Sequence, residues 1–328
     1  MQAHKSLIYC CFVALASVAT TRLFGQSPGS GQDFPSKPIR IVASDAGGAG
    51  DLAARVIAQG LTASLGQPVI VDNRGGSGVV AAEYVAKAPP DGHTLLFYGS
   101  TIWVLPLLQA GLPYDPVRDY APVTIVASAP NILVVHPQLP VKTVRDLIAL
   151  AKARPGELNY SSGITGAATH LAAELFKSMA RVNIVRVSYK GGAPAINDLL
   201  GGQVQLTFGT VSSVGQHLKS GRLRGLAVTS SQPSALMPAL PTVAASGLPG
   251  YESGSIYGMY APVKTPATII NRLNQEVARY VKTSEIRERF FNAGTETVGS
   301  TPDQLSATMK SEMTRLGKVI KEAGIRAE

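Results

Sequence analysis

Between Ile39 and Asp51 the chain passes from a β-branched run, Ile39-Arg40-Ile41-Val42-Ala43, through Ser44-Asp45 and the turn Ala46-Gly47-Gly48-Ala49-Gly50, into a segment with helical spacing. A strand, a glycine turn and a helix start in succession commit the chain to laying a helix back across a sheet. The same junction aims backbone N–H groups and the positive end of a helix dipole at one point, which cradles an anion without any cationic side chain. A second junction of this kind is Ser161-Ser162-Gly163-Ile164-Thr165-Gly166-Ala167-Ala168-Thr169-His170, and a third strand runs into Gly99-Ser100-Thr101. One such turn serves equally well as a tight connection with no ligand. Three of them at strand ends point to binding, and two facing cradles on two lobes point to a clamp around a small acid.

Strand and helix signals alternate around these junctions, which predicts an α/β fold with mainly parallel pairing. The first lobe opens with strand 39–43. A helix over 51–65 follows, with Leu52, Val56, Leu61 and Leu65 on one face, and Gly66 stops it. Then come strand 69–71, a helix marked by Val80, Tyr84 and Val85, and strand 95–98. Two extended apolar stretches, 123–127 and 132–135, carry the chain across. The second lobe holds helix 147–153, strand 158–160, a helix with Leu171, Leu175, Phe176 and Met179 on its apolar face, strand 184–187, a helix start at Pro194, strand 204–208 ending at Gly209 and Thr210, and strand 223–228. A turn-rich stretch from Pro233 to Gly254 leads to the return crossing. Helices follow over 269–281, 285–292 and 301–322, the last opened by Ser300-Thr301-Pro302-Asp303. The expected organisation is lobe 1 over 33–129 and 254–328, lobe 2 over 130–253, and two crossing strands as the hinge. The cleft falls at the carboxyl ends of the strands.

The first 25 residues read as a cleaved secretory signal. His4 and Lys5 precede an apolar run from Leu7 to Ala19, too short to span a bilayer as a helix. Both cysteines, Cys10 and Cys11, lie inside it, so the mature chain is expected to carry no disulfide and no thiol chemistry. Residues 26–37 form a flexible lead-in. The whole chain has 328 residues and a formal charge of +9, or +7 once Lys5 and Arg22 leave with the signal. Lys and Arg are spread along the chain rather than clustered among aromatics. This excludes a nucleic-acid partner and leaves a solvated basic surface that attracts acids. The expected location is the periplasm.

Catalytic and metal chemistry find little to work with. Outside the signal the histidines are His93, His136, His170 and His217, and none pairs with another at zinc-ligand spacing, so no metal is expected. No Gly-x-Ser-x-Gly elbow occurs, and no side chain supplies a base for Ser100, Ser161 or Ser162; His170 is expected to pack or cap at the start of its helix. Residues 46–51 match neither Gly-x-Gly-x-x-Gly nor a P-loop, so no nucleotide cofactor is expected.

Several short runs carry a wider likeness. Phe34-Pro35-Ser36-Lys37-Pro38-Ile39-Arg40-Ile41-Val42 precedes Gly47-Gly48-x-x-Asp51. Further on stand Leu65-Gly66-Gln67-Pro68-Val69, Asn73-Arg74, Ala86-Lys87-Ala88-Pro89-Pro90-Asp91-Gly92, Leu112-Pro113-Tyr114-Asp115-Pro116, Ala151-Lys152-Ala153-Arg154-Pro155-Gly156, Tyr189-Lys190-Gly191-Gly192, Leu240-Pro241-Thr242-Val243, Gly247-Leu248-Pro249-Gly250 and Ala261-Pro262. In order and spacing they resemble Bug-type solute-binding proteins, the TctC-like extracytoplasmic components of tripartite tricarboxylate transporters. The resemblance implies a two-lobed periplasmic-binding-protein fold of type II character and a carboxylate ligand. It implies that the first loop holds the acid through backbone groups and bridging waters, at positions matched here by Ala46, Gly47, Gly48 and Asp51. It places Ser162, Gly163, Thr165, Gly166, Thr169 and His170 on the second loop and Ser100 and Thr101 on the third. The implied partner is a membrane permease, with the protein a monomer that binds and does no bond making. A ligand sensor that docks on a receptor ectodomain is the alternative, and a secreted hydrolase a third class.

The chain departs from the pattern in three places. Ser44 and Asp45 stand where an apolar pair is usual, so Asp45 either contacts a ligand with a hydrogen-donating or positive group, pairs with a base, or turns away. Arg186-Val187-Ser188-Tyr189-Lys190-Gly191 replaces a run that normally begins with His. Gly209, next to Thr210, replaces an Asp at the end of its strand.

Overall fold

The computed structural model describes residues 34–43, 49–74, 78–163, 165–189 and 192–326. The expected signal and the first-loop residues Asp45, Ala46, Gly47 and Gly48 lie outside them. The opening strand β1 (Ile39–Ala43) is buried except at Arg40, as a β-branched strand flanked on both sides requires. It pairs in parallel with β2 (Val69–Asn73) and β3 (Thr94–Gly99). Helix α1 (Ala49–Leu65) covers it, but Leu52 does not join the buried face: it is 46% exposed, while Ala53, Ala54, Val56, Ile57, Ala58 and Leu61 are buried. The helix is rotated so that small alanines meet the sheet. In α2 (Val79–Ala86), Val85 turns inward with Ala81 and Ala82, Val80 is exposed, and the Tyr84 ring lies under the Arg74 guanidinium, 3.6 Å from Cζ to the ring centroid.

Helix α3 (Thr101–Leu108) leaves β3 directly, and nothing in the sequence pattern marks it. Residues 123–127 and 132–135 are one continuous strand, β4 (Tyr120–Val135), 16 residues long. Then follow α4 (Val144–Ala153), begun by a capping box of Thr143 and Asp146, β5 (Asn159–Ser162), α5 (Ala168–Ala180), β6 (Val185–Ser188), α6 (Gly192–Leu200), β7 (Leu206–Thr210), α7 (Val211–Lys219), β8 (Arg224–Val228) and β9 (Gly254–Pro262). The chain closes with α8 (Ala267–Tyr280), α9 (Ser284–Asn292), β10 (Glu296–Thr297) and α10 (Pro302–Glu322). Pro302 opens the last of these behind a second capping box, Thr301 with Gln304.

The strands form a mixed sheet in the order β2-β1-β3-β9-β4-β7-β5-β6, with β8 and β10 also on β4. Parallel pairing is confined to the outer strands: β1 with β2 and β3, and β5 with β6 and β7. The expectation of mainly parallel pairing is corrected at the centre, where β9 runs antiparallel to both β3 and β4. A strand that leaves one lobe and a strand that returns must run in opposite directions. From Tyr120 to Pro130, β4 pairs with β9; from Asn131 to Val135 its partners are β7 and β8. The apolar cores divide along the same line. One packs α1, α8 and α9 on β1, β3 and β9, and another packs α4 and α5 on β5, β7 and the end of β4. Helix α10 bridges them, since Leu316 and Ile320 meet Val104 and Leu108 of α3 and Leu171 of α5.

Candidate functional site

The loops that follow the parallel strands β3 and β5 both reach one cavity beside the start of β9. On the first side β3 gives way to Ser100, whose N–H donates to the Ile256 carbonyl at 2.8 Å, and Thr101 begins α3. The third loop is thereby fixed to a crossing strand. Beneath it Trp103 is fully buried and its Nε1–H donates to Tyr260 Oη at 2.8 Å.

On the second side β5 ends at Ser162, and the turn through Thr165 and Gly166 leads to α5. Gly166 has φ +83°, and a Cβ there would lie 2.5 Å from Leu108 Cδ1 of α3, so the position needs glycine for both conformation and close approach. Its N–H donates to His170 Nδ1 at 3.1 Å. His170 is 2% exposed, and its imidazole is pushed down to about 4, by burial first and then by the positive charge of Arg186. It is therefore a neutral acceptor that ties the turn to the helix, with its proton on Nε2. Among the described residues no hydrogen bond joins it to Ser161 or Ser162. Thr169 precedes it on α5, half-buried. The start of α5 is anchored from below as well: Asn131, buried where β4 changes partners, reaches the Ala168 carbonyl with Nδ2 at 3.4 Å.

A cavity of about 80 Å³ lies between these two loops. Ser100 and Thr101 line it from one side, Gly166, Ala168 and Leu171 from the other, and Ser253, Gly254, Ser255 and Tyr257 close it at the start of β9. Its volume matches two or three waters, or one carboxylate group. Burial raises the Tyr257 hydroxyl above its ordinary range, so at neutral pH it is an O–H donor. Glu312 also lines the cavity, but its carboxylate is held by Arg315 Nη2 at 2.6 and 2.7 Å. The wall is a set of neutral donors around one neutralised acid. The sequence picked out Ser100, Thr101 and Gly166; it gave no sign of Ser253, Ser255 or Tyr257, whose place depends on where β9 returns.

The remaining expected residues that the structure describes have contacts of their own outside this cavity. Asp51 is 5% exposed and its Oδ1 accepts Asn73 Nδ2 at 2.8 Å and pairs with Arg55 Nε at 3.0 Å, so it fastens the start of α1 to the end of β2. Thr210 caps α7, its Oγ1 accepting the Ser213 N–H at 3.3 Å. Gly209 is buried, and a Cβ there would meet Val214 Cγ1, so the start of α7 packs close against the end of β7. Ser162 and Gly163 are engaged by a residue outside the expected set. Arg186 donates from Nε to Ser162 Oγ at 2.8 Å, from Nη2 to the Gly163 carbonyl at 2.9 Å and from Nη1 to Thr165 Oγ1 at 3.0 Å. The available signal was the cation at the head of the run 186–191. Among the described residues no cluster of His, Cys, Asp and Glu is arranged to hold a metal ion.

Two cores on one mixed sheet, joined by antiparallel crossing strands and with strand-end loops opposed, define a two-lobed solute-binding protein of the periplasmic type. The family model described as "Tripartite tricarboxylate transporter family receptor" matches residues 53–325, and the chain belongs to that family. Protein BugT of Bordetella pertussis is 37% identical over 319 residues, covering 96% of each chain. Among solved structures, "R. palustris Rpa4515 with adipate" is 38% identical with a TM-score of 0.75, covering 90% of this chain and 100% of that one. MatC from Rhodopseudomonas palustris with bound malate is 28% identical with a TM-score of 0.71, covering 88% of this chain and 100% of that one.

Proposed function

We propose that the protein captures a small organic acid between its lobes, outside the cytoplasm, and presents it to the membrane permease of a tripartite tricarboxylate-type transporter. The observation that carries this reading is the cavity in which Ser100 and Thr101 of one strand-end loop face Gly166 of the other. The relatives bound to adipate and malate support a carboxylate as its occupant. Lobe 1 comprises 33–129 and 254–328, lobe 2 comprises 130–253, and the hinge is where β4 changes partners between Pro130 and Asn131. The first 25 residues serve as the export signal, and the mature protein works as a monomer.

Capture then follows from the donors available. Hydroxyls of Ser100, Thr101, Ser253 and Ser255 and the Tyr257 O–H replace the waters of one carboxylate, and backbone N–H groups of the first-loop residues Asp45, Ala46, Gly47 and Gly48 add to them. Asp51, bonded to Asn73 and paired with Arg55, holds the start of α1 against the end of β2. Thr169 and His170 shape the second loop; Gly209 and Thr210 form the rim beside α7. Hydrogen bonds to a charged group are each worth about 1.5–3 kcal/mol net, so three or four of them, less the cost of ordering two lobes, reach the roughly −8 kcal/mol of a micromolar complex. The ligand stabilises the closed arrangement because only there do both loops reach it. Nothing is transformed: His170 is buried, neutral and committed to Gly166.

Titration calorimetry of residues 26–328 with malate, adipate and a panel of other small acids tests the reading. The expected result is saturable 1:1 binding of at least one acid, recovered unchanged. No heat with any acid, or conversion of one into a product, contradicts it.

A further inference from the structure

The guanidinium of Arg186, at the end of the sheet where β5 runs into the second loop, is a charged group that the capture reading does not use. On β6 it stands level with Tyr160 of β5, yet its side chain runs toward the carboxyl end of the sheet and bonds residues two to five positions further along the second loop. Every partner is neutral: Ser162 Oγ, Thr165 Oγ1, the Gly163 carbonyl and, at 3.3 Å, Ser188 Oγ. Among the described residues no carboxylate lies within ion-pair distance of it. The buried acid Glu174 is engaged instead by the Tyr160 hydroxyl at 2.5 Å and by Lys177 Nζ at 2.7 and 3.0 Å. Asp198 accepts from Tyr189 Oη at 2.6 Å. The loop therefore carries a half-buried positive charge, fixed by neutral acceptors and without a counter-ion among the described residues, and its field reaches His170 in the same turn.

A guanidinium held by neutral acceptors keeps its full charge, and away from bulk water that charge acts over several ångströms. We infer that Arg186 is a specificity-determining residue that makes the second loop select acids with two carboxylates over acids of the same length with one. One carboxylate occupies the neutral-donor cavity; the second is drawn to the Arg186 end of the loop. The inference rests on the capture reading and narrows its substrate class.

The test compares matched pairs (adipate with hexanoate, succinate with butanoate, terephthalate with benzoate) on the wild-type chain, Arg186→Gln and Arg186→Lys, with dissociation constants from calorimetry and melting curves to establish folding. The wild type is expected to favour the diacid of at least one pair by tenfold or more, about the worth of one charge-assisted hydrogen bond. Arg186→Gln should lose that preference, weakening the diacid by at least tenfold more than the mono-acid; Arg186→Lys, which keeps the charge without the fork, should retain part of it. If Gln and Lys weaken both members of a pair equally, Arg186 only shapes the loop and the inference is overturned. It is overturned too if the wild type binds both members equally, with the capture reading intact. If no member of any pair binds the wild type, this inference falls, and the wider acid panel decides the capture reading. Should Arg186→Gln not fold, the retained or lost preference of Arg186→Lys decides between charge and shape.

Discussion

His170 and Gly166 form the smallest unit on which the site depends. The imidazole is neutral because burial holds its folded value near 4, well below that of the unfolded chain. The unfolded chain therefore binds the extra proton between about pH 6.5 and 4, so this residue's contribution to stability is complete above that window and is lost as pH falls through it. The expected loss is on the order of 3 kcal/mol between pH 7 and 4, and His170→Gln should show a correspondingly flatter curve of urea stability against pH; parallel curves would contradict it. Gly166→Ala meets both a positive φ and Leu108, and should cost about 1–3 kcal/mol and weaken ligand binding. Denaturant melts and calorimetry of that variant check both effects. At this scale the sequence was informative about residue types and silent about direction. Thr165, Gly166 and His170 were legible as a loop because glycine, hydroxyl and helix start fall together. Arg186 and Asn131 were not, because each acts on residues more than twenty positions away, and only the fold brings them there.

Among elements, α3 shows most clearly what periodicity misses. It is apolar on every side and carries Pro106, so no amphipathic stripe marks it, yet its burial on all faces is what fixes the third loop. Helix α10 was legible for the opposite reason: its capping box and one-sided apolar stripe are local. Leu52 misled because α1 turns alanines, not its first leucine, toward the sheet. The strand β9 could be placed only roughly, as a return crossing, and with it went Ser253, Ser255 and Tyr257. Trp103 is the chain's single tryptophan. Trp103→Ala should cost about 3–5 kcal/mol through the cavity it leaves and release Ser100 and Thr101 from their setting. In the wild type its fluorescence should shift when an acid binds nearby. An unaltered spectrum at saturating ligand would place the binding event elsewhere.

At the scale of the molecule, two lobes share one sheet, and their relative motion must pass through β4 and β9. Thr229 stands at that junction. Its Oγ1 accepts the Asn131 N–H at 2.7 Å and lies 2.7 Å from the Ser253 carbonyl, so one buried hydroxyl ties the outgoing strand to the approach of the returning one. Thr229→Val leaves the Asn131 N–H buried and unpartnered and should cost about 1–3 kcal/mol; because the lost bonds lie at the crossing, the variant should also bind ligand more weakly, as thermal melts with and without ligand would show. The central claim is that this chain holds one small acid between its lobes. Native mass spectrometry of the protein isolated from cells, before and after addition of an acid panel, tests it most directly. The account predicts a single 1:1 adduct whose mass matches a carboxylic acid and which is released intact on denaturation. A protein that keeps its bare mass against every acid offered would contradict it.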